Sequence, residues 1–265
     1  MRELKTFEYN DACYRISASG YGAATAEIVR QRRLLEEYCR QYESFRRSLE
    51  PLDVLPPGEP EIASRMHRAS VACEIENGVG GHARVGPMAA VAGAMAQAAV
   101  EAAAEAGDED MIVDNGGDMY LLLSVPAVIG AWVEGCAVGS SLRRLGFRIT
   151  PEETPLAVCS SSSFMGHSLS LGDCDLATVF AKDAALADAA ATLACNEIRM
   201  EEDLPGVLEA VVAIPGIKGA MAVKGDRIGL VGSVPKMVVH EDARLAEKVT
   251  KHEASGFEAG LADCK

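Results

Sequence analysis

Between Cys159 and Ile198 the chain runs from a row of serines, through a short apolar strand, into a helix that is almost all alanine. An alanine helix offers no bulky side chain of its own. It is stable in a fold only where neighbouring elements press close against it. A second segment of the same kind, Met88 to Ala106, follows Pro87. That pattern predicts a helix over 87–106, with proline at its first position and Gly107 as its stop. The fold class expected is α+β, with antiparallel sheets packed against a few long helices, two of them alanine-rich and buried.

On the first of these helices Asp188 and Thr192 stand four residues apart, and so on one face. That spacing lets a single helix offer a carboxylate and a hydroxyl to a hard cation such as Mg²⁺. The other reading is local: the aspartate caps or bridges, and the threonine bonds back to the preceding turn.

A length of 265 residues suits one large domain or two intimate ones. Residues 1–240 are expected to form one domain, with two strand-rich halves that hint at a pseudo-repeat, and 241–265 a charged helix or tail. The formal net charge of −14 argues against a nucleic-acid partner, because phosphate backbones require a basic surface. Eight cysteines without C-x-x-C or zinc-type spacing read as reduced thiols of a cytoplasmic protein. With no apolar h-region or lipobox in MRELKTFEYND, export is not expected, and the apolar run Tyr120–Val133, broken by Pro126 and Gly130, reads as two strands rather than a membrane span.

In chain order, residues 12–18 read as a strand, and Gly20-Tyr21-Gly22 as a turn into a helix rather than a dinucleotide fingerprint. Residues 24–49 carry an apolar stripe of Ile28, Leu35, Tyr38, Tyr42, Phe45 and Leu49, opposite a solvated arginine face. A short helix near 61–68 and a strand over 69–76 precede a glycine-rich loop, 77–87. His82 in that loop is expected just ahead of a helix start. Strands are expected at 111–123, 130–138, 144–149 and 156–160. Two further hairpins are expected from 207–215, 219–225, 226–232 and 236–240.

Asp114, Asn115, Gly116, Gly117 and Asp118 interrupt the strand pattern of 111–123. They read either as backbone pressed against a ligand or as a tight hairpin turn. Ser160, Ser161 and Ser162 offer hydroxyls and amides to an anion, or form a polar turn. Gly166, His167 and Ser168 follow, with His167 a candidate general base or phosphate contact, or a loop brace. Cys159 is a candidate sulfur-handling thiol if a neighbouring cation lowers its pKa.

Together, DNGGDMY (114–120) and LADAAATLA (186–194) resemble the strand and helix motifs of the ApbE-like superfamily, the FAD:protein FMN transferases. The run Cys159 to Ser168, the segment Ser48 to Pro51 and the helix 87–94 are similar to an uncharacterised cytosolic branch of it. The resemblance covers roughly residues 40 to 200. It implies that Asp188 and Thr192 hold Mg²⁺ against the pyrophosphate of FAD or a related nucleotide, with Gly116, Gly117 and Asp118 beside the cofactor. His167 and Asp188 are then the catalytic candidates. This chain has Ser170 and Leu171 where the transferases carry Asp-Pro, which sets it apart from them.

The function implied is binding of a flavin or another nucleotide or phosphate ligand with Mg²⁺. The protein would be a diverged FMN transferase or an enzyme of sulfide assimilation into homocysteine. The alternative is a non-catalytic accessory protein that passes a ligand or sulfur to partner enzymes of sulfur metabolism. Small-residue surfaces and free strand edges are compatible with a homodimer.

Overall fold

The computed structural model describes residues 3–17, 20–76, 80–130, 145–163 and 173–239. Its centre is an antiparallel sheet of eight strands in the order β1-β2-β5-β6-β9-β10-β11-β12. These are β1 Leu4–Tyr9, β2 Ala12–Ser17, β5 Met111–Asn115, β6 Asp118–Leu122, β9 Leu156–Ser161, β10 Leu176–Ala181, β11 Ile217–Lys224 and β12 Arg227–Gly232. Three strands, β7 Ala127–Gly130, β8 Leu145–Ile149 and β13 Lys236–Val239, form a second sheet in the order β13-β8-β7. A two-stranded ribbon pairs β3 Glu74–Glu76 with β4 His82–Arg84.

Side-chain alternation assigns the two faces of the large sheet. Tyr14, Val113, Tyr120, Cys159, Val179 and Ala220 point to one face, and they belong to the helix-packed core. Ile112, Leu121, Val158, Phe180 and Met221 point to the other. There they meet Phe147 and Ile149 of β8, with Phe147 and Phe180 edge to face at 4.9 Å. The fold is therefore three-layered: helices, large sheet, small sheet.

The helices are α1 Tyr21–Gln41, α2 Glu43–Arg47, α3 Glu61–Ala72, α4 Val91–Glu105, α5 Ala184–Glu197 and α6 Leu204–Val212. Both alanine-rich segments, α4 and α5, are helical and lie against the sheet, as the sequence predicts. In α5 every residue from Ala184 to Cys195 is buried. A 3₁₀ turn, Pro87–Ala90, leads into α4, and Gly107 ends it at φ 101°. Among the described residues no helix is long and apolar enough to cross a membrane.

Several expectations are corrected. The helix expected over 24–49 breaks at Tyr42 (φ −125°, ψ 83°), so that Phe45 enters the core from α2 while Leu49 is left exposed. Residues 69–72 continue α3, because Ile62, Ala63, Met66, Ala69 and Ser70 keep helical spacing into the core; only 74–76 is strand. His82 does not precede a helix. It sits on exposed β4, its Nδ1 2.7 Å from a Glu74 carboxylate oxygen. Residues 207–215 are mostly helix α6, whose Leu204, Leu208 and Val211 bury at i, i+4 and i+7. Neither of the two expected hairpins forms: 219–225 and 226–232 are strands, β11 and β12, but they pair with each other, and β13 pairs with the distant β8. Of the strand expected at 130–138, only Gly130 belongs to a described strand, β7, and the rest lies outside the described residues, as does the tail 241–265.

Candidate functional site

β5 and β6 form a hairpin whose register closes on the pair Asn115–Asp118, with Gly116 (φ 70°) and Gly117 (φ 106°) as its two-residue loop. Positive φ at both loop positions is what such a turn demands, and glycine supplies it without strain. The interruption of the strand pattern is thus a hairpin turn. The Asp114 carboxylate closes it by accepting the Gly117 N–H at 2.9 Å. Asn115 ties the turn to the start of α4 by donating from Nδ2 to the Ala92 carbonyl at 3.2 Å.

Asp118, first in β6, sits on the helix-facing side and is 8% exposed. Its Oδ1 accepts the Ser160 N–H at 3.3 Å, and the Cys159 thiol also bonds to its carboxylate. Across from it, Asp188 of α5 is likewise 8% exposed. Its Oδ2 accepts the Gly93 N–H at 2.8 Å, capping α4 from a different helix. The bridge Asp188 makes is thus long-range, to the amides at the start of α4, and not the local one. Thr192 is buried one turn further along α5.

The close approach of α4 and α5 behind this bond depends on Gly93. A Cβ there would lie 2.2 Å from the Ala184 carbonyl oxygen and 2.9 Å from Cβ of Asp188. Gln97 continues the contact, its Oε1 accepting the Ala184 N–H at 2.7 Å. Asp183 caps α5 by accepting the Leu186 N–H at 3.1 Å.

The two aspartates share one electrostatic problem. Burial pushes Asp188 up to about 7, against the opposing pull of the Gly93 and Ala92 amides. Burial also pushes Asp118 well above the usual carboxylate range, and the charges of Asp188 and Asp114 push it further. Among the described residues no arginine or lysine contributes to either shift. Two desolvated carboxylates of like charge disfavour joint ionisation until a cation joins them.

The serines divide. Ser160 turns its hydroxyl to the opposite face of the sheet, where it bonds Thr178 Oγ1 at 2.9 Å. Only its amide reaches the aspartates, so its expected role as a hydroxyl ligand is corrected. Ser160→Ala should cost about 1 kcal/mol in urea unfolding, the usual worth of such a bond. Ser161 alternates with Ser160 and shares the helix-facing side with Cys159. Its hydroxyl is buried without a hydrogen-bond partner among the described residues. Along β9, Cys159 contacts the Ala184 carbonyl at 3.6 Å and the following Ser163 contacts Cys195 at 3.5 Å. Ser161 therefore lies beside the stretch of α5 that carries Asp188 and Thr192. Ser162 is buried next to it.

Asp118, Asp188, Thr192 and Ser161 thus share one region, the contact of the sheet with α5. Asp114, Asn115, Gly116 and Gly117 form the hairpin turn that leads into Asp118. Gly166, His167 and Ser168 lie outside the described residues. Sequence reasoning missed the α4 amides of Ala92 and Gly93; the single glycine in an alanine helix was the available signal. It also missed Thr178, and Cys73, whose Sγ lies 3.9 Å from the Leu186 carbonyl. Cys159 is no thiolate: burial and the charges of Asp118 and Asp188 all raise its pKa.

Among the described residues no group of three or more His, Cys, Asp and Glu side chains is disposed to hold a metal ion. Two carboxylates, a threonine hydroxyl and an unbonded serine hydroxyl are nevertheless the hard oxygen donors that Mg²⁺ takes, with phosphate and water completing its shell. Two clefts formed by described residues lie elsewhere. One of about 250 Å³ is lined by Glu27, Gln31, Arg65 and Glu101. The other, of about 350 Å³, is lined by Ala72, Ile75, Ala210 and Ile214. The buried aspartates, and not those clefts, carry the unusual chemistry.

A family model described as AbpE bacteria matches residues 15–210. A UPF0280 protein of Methanosarcina barkeri is 39% identical over 230 residues, covering 86% of this chain and 84% of that protein. A UPF0280 protein of Methanocaldococcus jannaschii is 36% identical, covering 84% and 87%. In fold the chain is similar to the flavinyl transferase ApbE of Pseudomonas stutzeri in its apo form. The TM-score is 0.52 at 12% identity, over 88% of this chain and 94% of that one. The flavin transferase ApbE of Vibrio cholerae gives a TM-score of 0.52 at 15% identity, over 88% and 97%.

Proposed function

This chain belongs to the AbpE bacteria family, and from that premise we propose that it binds a flavin nucleotide together with Mg²⁺ where β6 meets α5. The observation that carries the reading is the buried carboxylate pair, Asp118 and Asp188, with no neutralising side chain among the described residues. Asp118, Asp188 and Thr192 would hold the cation, and Ser161 would direct its hydroxyl to the ligand. A bound Mg²⁺ supplies neutralisation of a diphosphate, which makes its phosphoanhydride a better electrophile.

The chain's own residues do the rest. The Gly93 and Ala92 amides fix the carboxylate of Asp188 at the start of α4. The Ser160 amide and the Cys159 thiol fix that of Asp118. FMN transfer to an acceptor hydroxyl is the reaction this arrangement would serve, with His167 as the base. The sulfur-carrying alternative needs a thiolate, and the Cys159 thiol holds its proton, so the flavin reading is preferred.

Thermal unfolding with FAD, FMN and ADP, each with Mg²⁺ and with chelator, tests this. A ligand at about 100 times its Kd adds roughly 2.7 kcal/mol. A shift with FAD that requires Mg²⁺ is expected, and AMP release in the presence of an acceptor protein is then the assay for transfer. No shift with any of the three would reject the reading.

A further inference from the structure

We propose that Cys174 and Cys195 form a modification site, a buried dithiol that closes to an intramolecular disulfide by exchange with a small-molecule disulfide. This goes beyond the nucleotide reading and does not depend on it. Six cysteines are described, all free thiols. Cys73 directs its sulfur to the Leu186 carbonyl, and Cys159 to the Ala184 carbonyl and the Asp118 carboxylate. Cys174 and Cys195, both fully buried, instead hydrogen-bond each other through their side chains. Cys195 Sγ also lies 3.9 Å from the Cys174 carbonyl oxygen and 3.5 Å from Ser163 Oγ. Cys174 Sγ lies 3.4 Å from the Val223 carbonyl.

The backbone on both sides of the pair is fixed. The Ser163 N–H donates to the Cys174 carbonyl at 3.0 Å, Asp173 N–H to Ile198 at 3.4 Å and Asp175 N–H to Val223 at 3.1 Å. Lys224 adds an ion pair to Asp173 at 2.7 Å. Cys195 is held by α5, three residues beyond Thr192. Two thiols anchored this way meet at high effective concentration, which favours the disulfide once the oxidant reaches them. The bond would lock the segment entering β10 onto the helix that carries Asp188 and Thr192.

The chemistry balances. One cysteine thiolate attacks the small disulfide, releasing one small thiol, and the second cysteine displaces the other. Two protein S–H bonds and one small-molecule S–S bond break. One protein S–S bond and two small-molecule S–H bonds form, and two electrons pass to the oxidant. The hydrogen bond with Cys195, together with burial, raises the Cys174 pKa, and both sulfurs are fully buried, so exchange waits on local opening of the segment. Oxidation should accordingly be slow in buffer and faster in sub-denaturing urea.

The full chain is incubated with glutathione disulfide until its mass is constant, then alkylated and mapped without reduction. The expected result is a loss of about 2 Da, for the two hydrogens removed, and one cross-linked peptide pair that joins Cys174 to Cys195. In Cys195→Ser that cross-link should vanish, leaving a glutathione adduct or a free thiol at Cys174. Alkylation of both cysteines in the parent, or a cross-link joining either to a different cysteine, would overturn the proposal.

Discussion

Replacing Gly93 by alanine should destabilise the protein by about 2–4 kcal/mol, although alanine is the better helix former by about 1 kcal/mol. The added Cβ would lie 2.2 Å from the Ala184 carbonyl oxygen and 2.8 Å from its carbon. Both are backbone atoms of a fully buried helix turn and cannot swing aside. α4 and α5 must separate instead. That stretches the Gly93–Asp188 bond of 2.8 Å and the Gln97–Ala184 bond of 2.7 Å. A hydrogen bond to a buried charge is worth about 1.5–3 kcal/mol, so its loss adds to the steric term. Gly22 in α1 is the control, because a Cβ there meets nothing within 4 Å. Gly22→Ala should be neutral or gain up to about 1 kcal/mol. Urea unfolding of both variants checks the contrast. A Gly93→Ala protein as stable as its parent would contradict the packing described for the two helices.

In chelator, stability should fall as pH rises from about 4 towards 8. An aspartate titrates near 3.9 in the unfolded chain, whereas Asp188 in the fold is raised to about 7. Between those values the folded protein binds more protons than the unfolded one, and ∂ΔG/∂pH is negative. The stability associated with the protonated carboxyl is fully present below the unfolded pKa. It is lost as pH rises through the folded one, at up to about 1.4 kcal/mol per pH unit. Asp118, shifted in the same direction, adds to the slope. Asp188→Asn keeps an acceptor for the Gly93 amide and carries no charge, and should therefore flatten the profile and be more stable than its parent at pH 8. Excess Mg²⁺ should flatten the parent's profile as well. Urea midpoints at several pH values decide it. A parent whose stability rises over this range would show that these carboxyls are not desolvated in the way described.

Much of the architecture was legible in local pattern. The alanine segments, the Pro87 start, the Gly107 stop and the strands β11 and β12 all follow from side-chain size and turn chemistry over a few residues. The misreadings arose where β-branched residues overlie a helical period, as in Val207, Val211 and Val212 of α6, whose buried Leu204, Leu208 and Val211 decide the matter. β13 was misplaced because its partner β8 lies far away in sequence, and pairing at that range leaves no local mark. The site was legible one residue at a time. Asp188 and Thr192 announce themselves as the polar pair of an alanine helix, and Asp118 as the acid after a double glycine. That the two acids face one another, and that Ser160 and Ser161 point to opposite faces, depends on the register of β6 against β9 and on the seating of α5.

The central claim is that the carboxylate pair is a Mg²⁺-dependent nucleotide site. The most direct measurement is equilibrium binding of FAD by flavin fluorescence in the parent and in Asp118→Asn, each with Mg²⁺ and with chelator. The account calls for binding by the parent that needs Mg²⁺, and for a drop of at least about tenfold in the variant, the equivalent of 1.4 kcal/mol. Binding of equal strength in chelator, or an Asp118→Asn protein that binds like its parent, would contradict it.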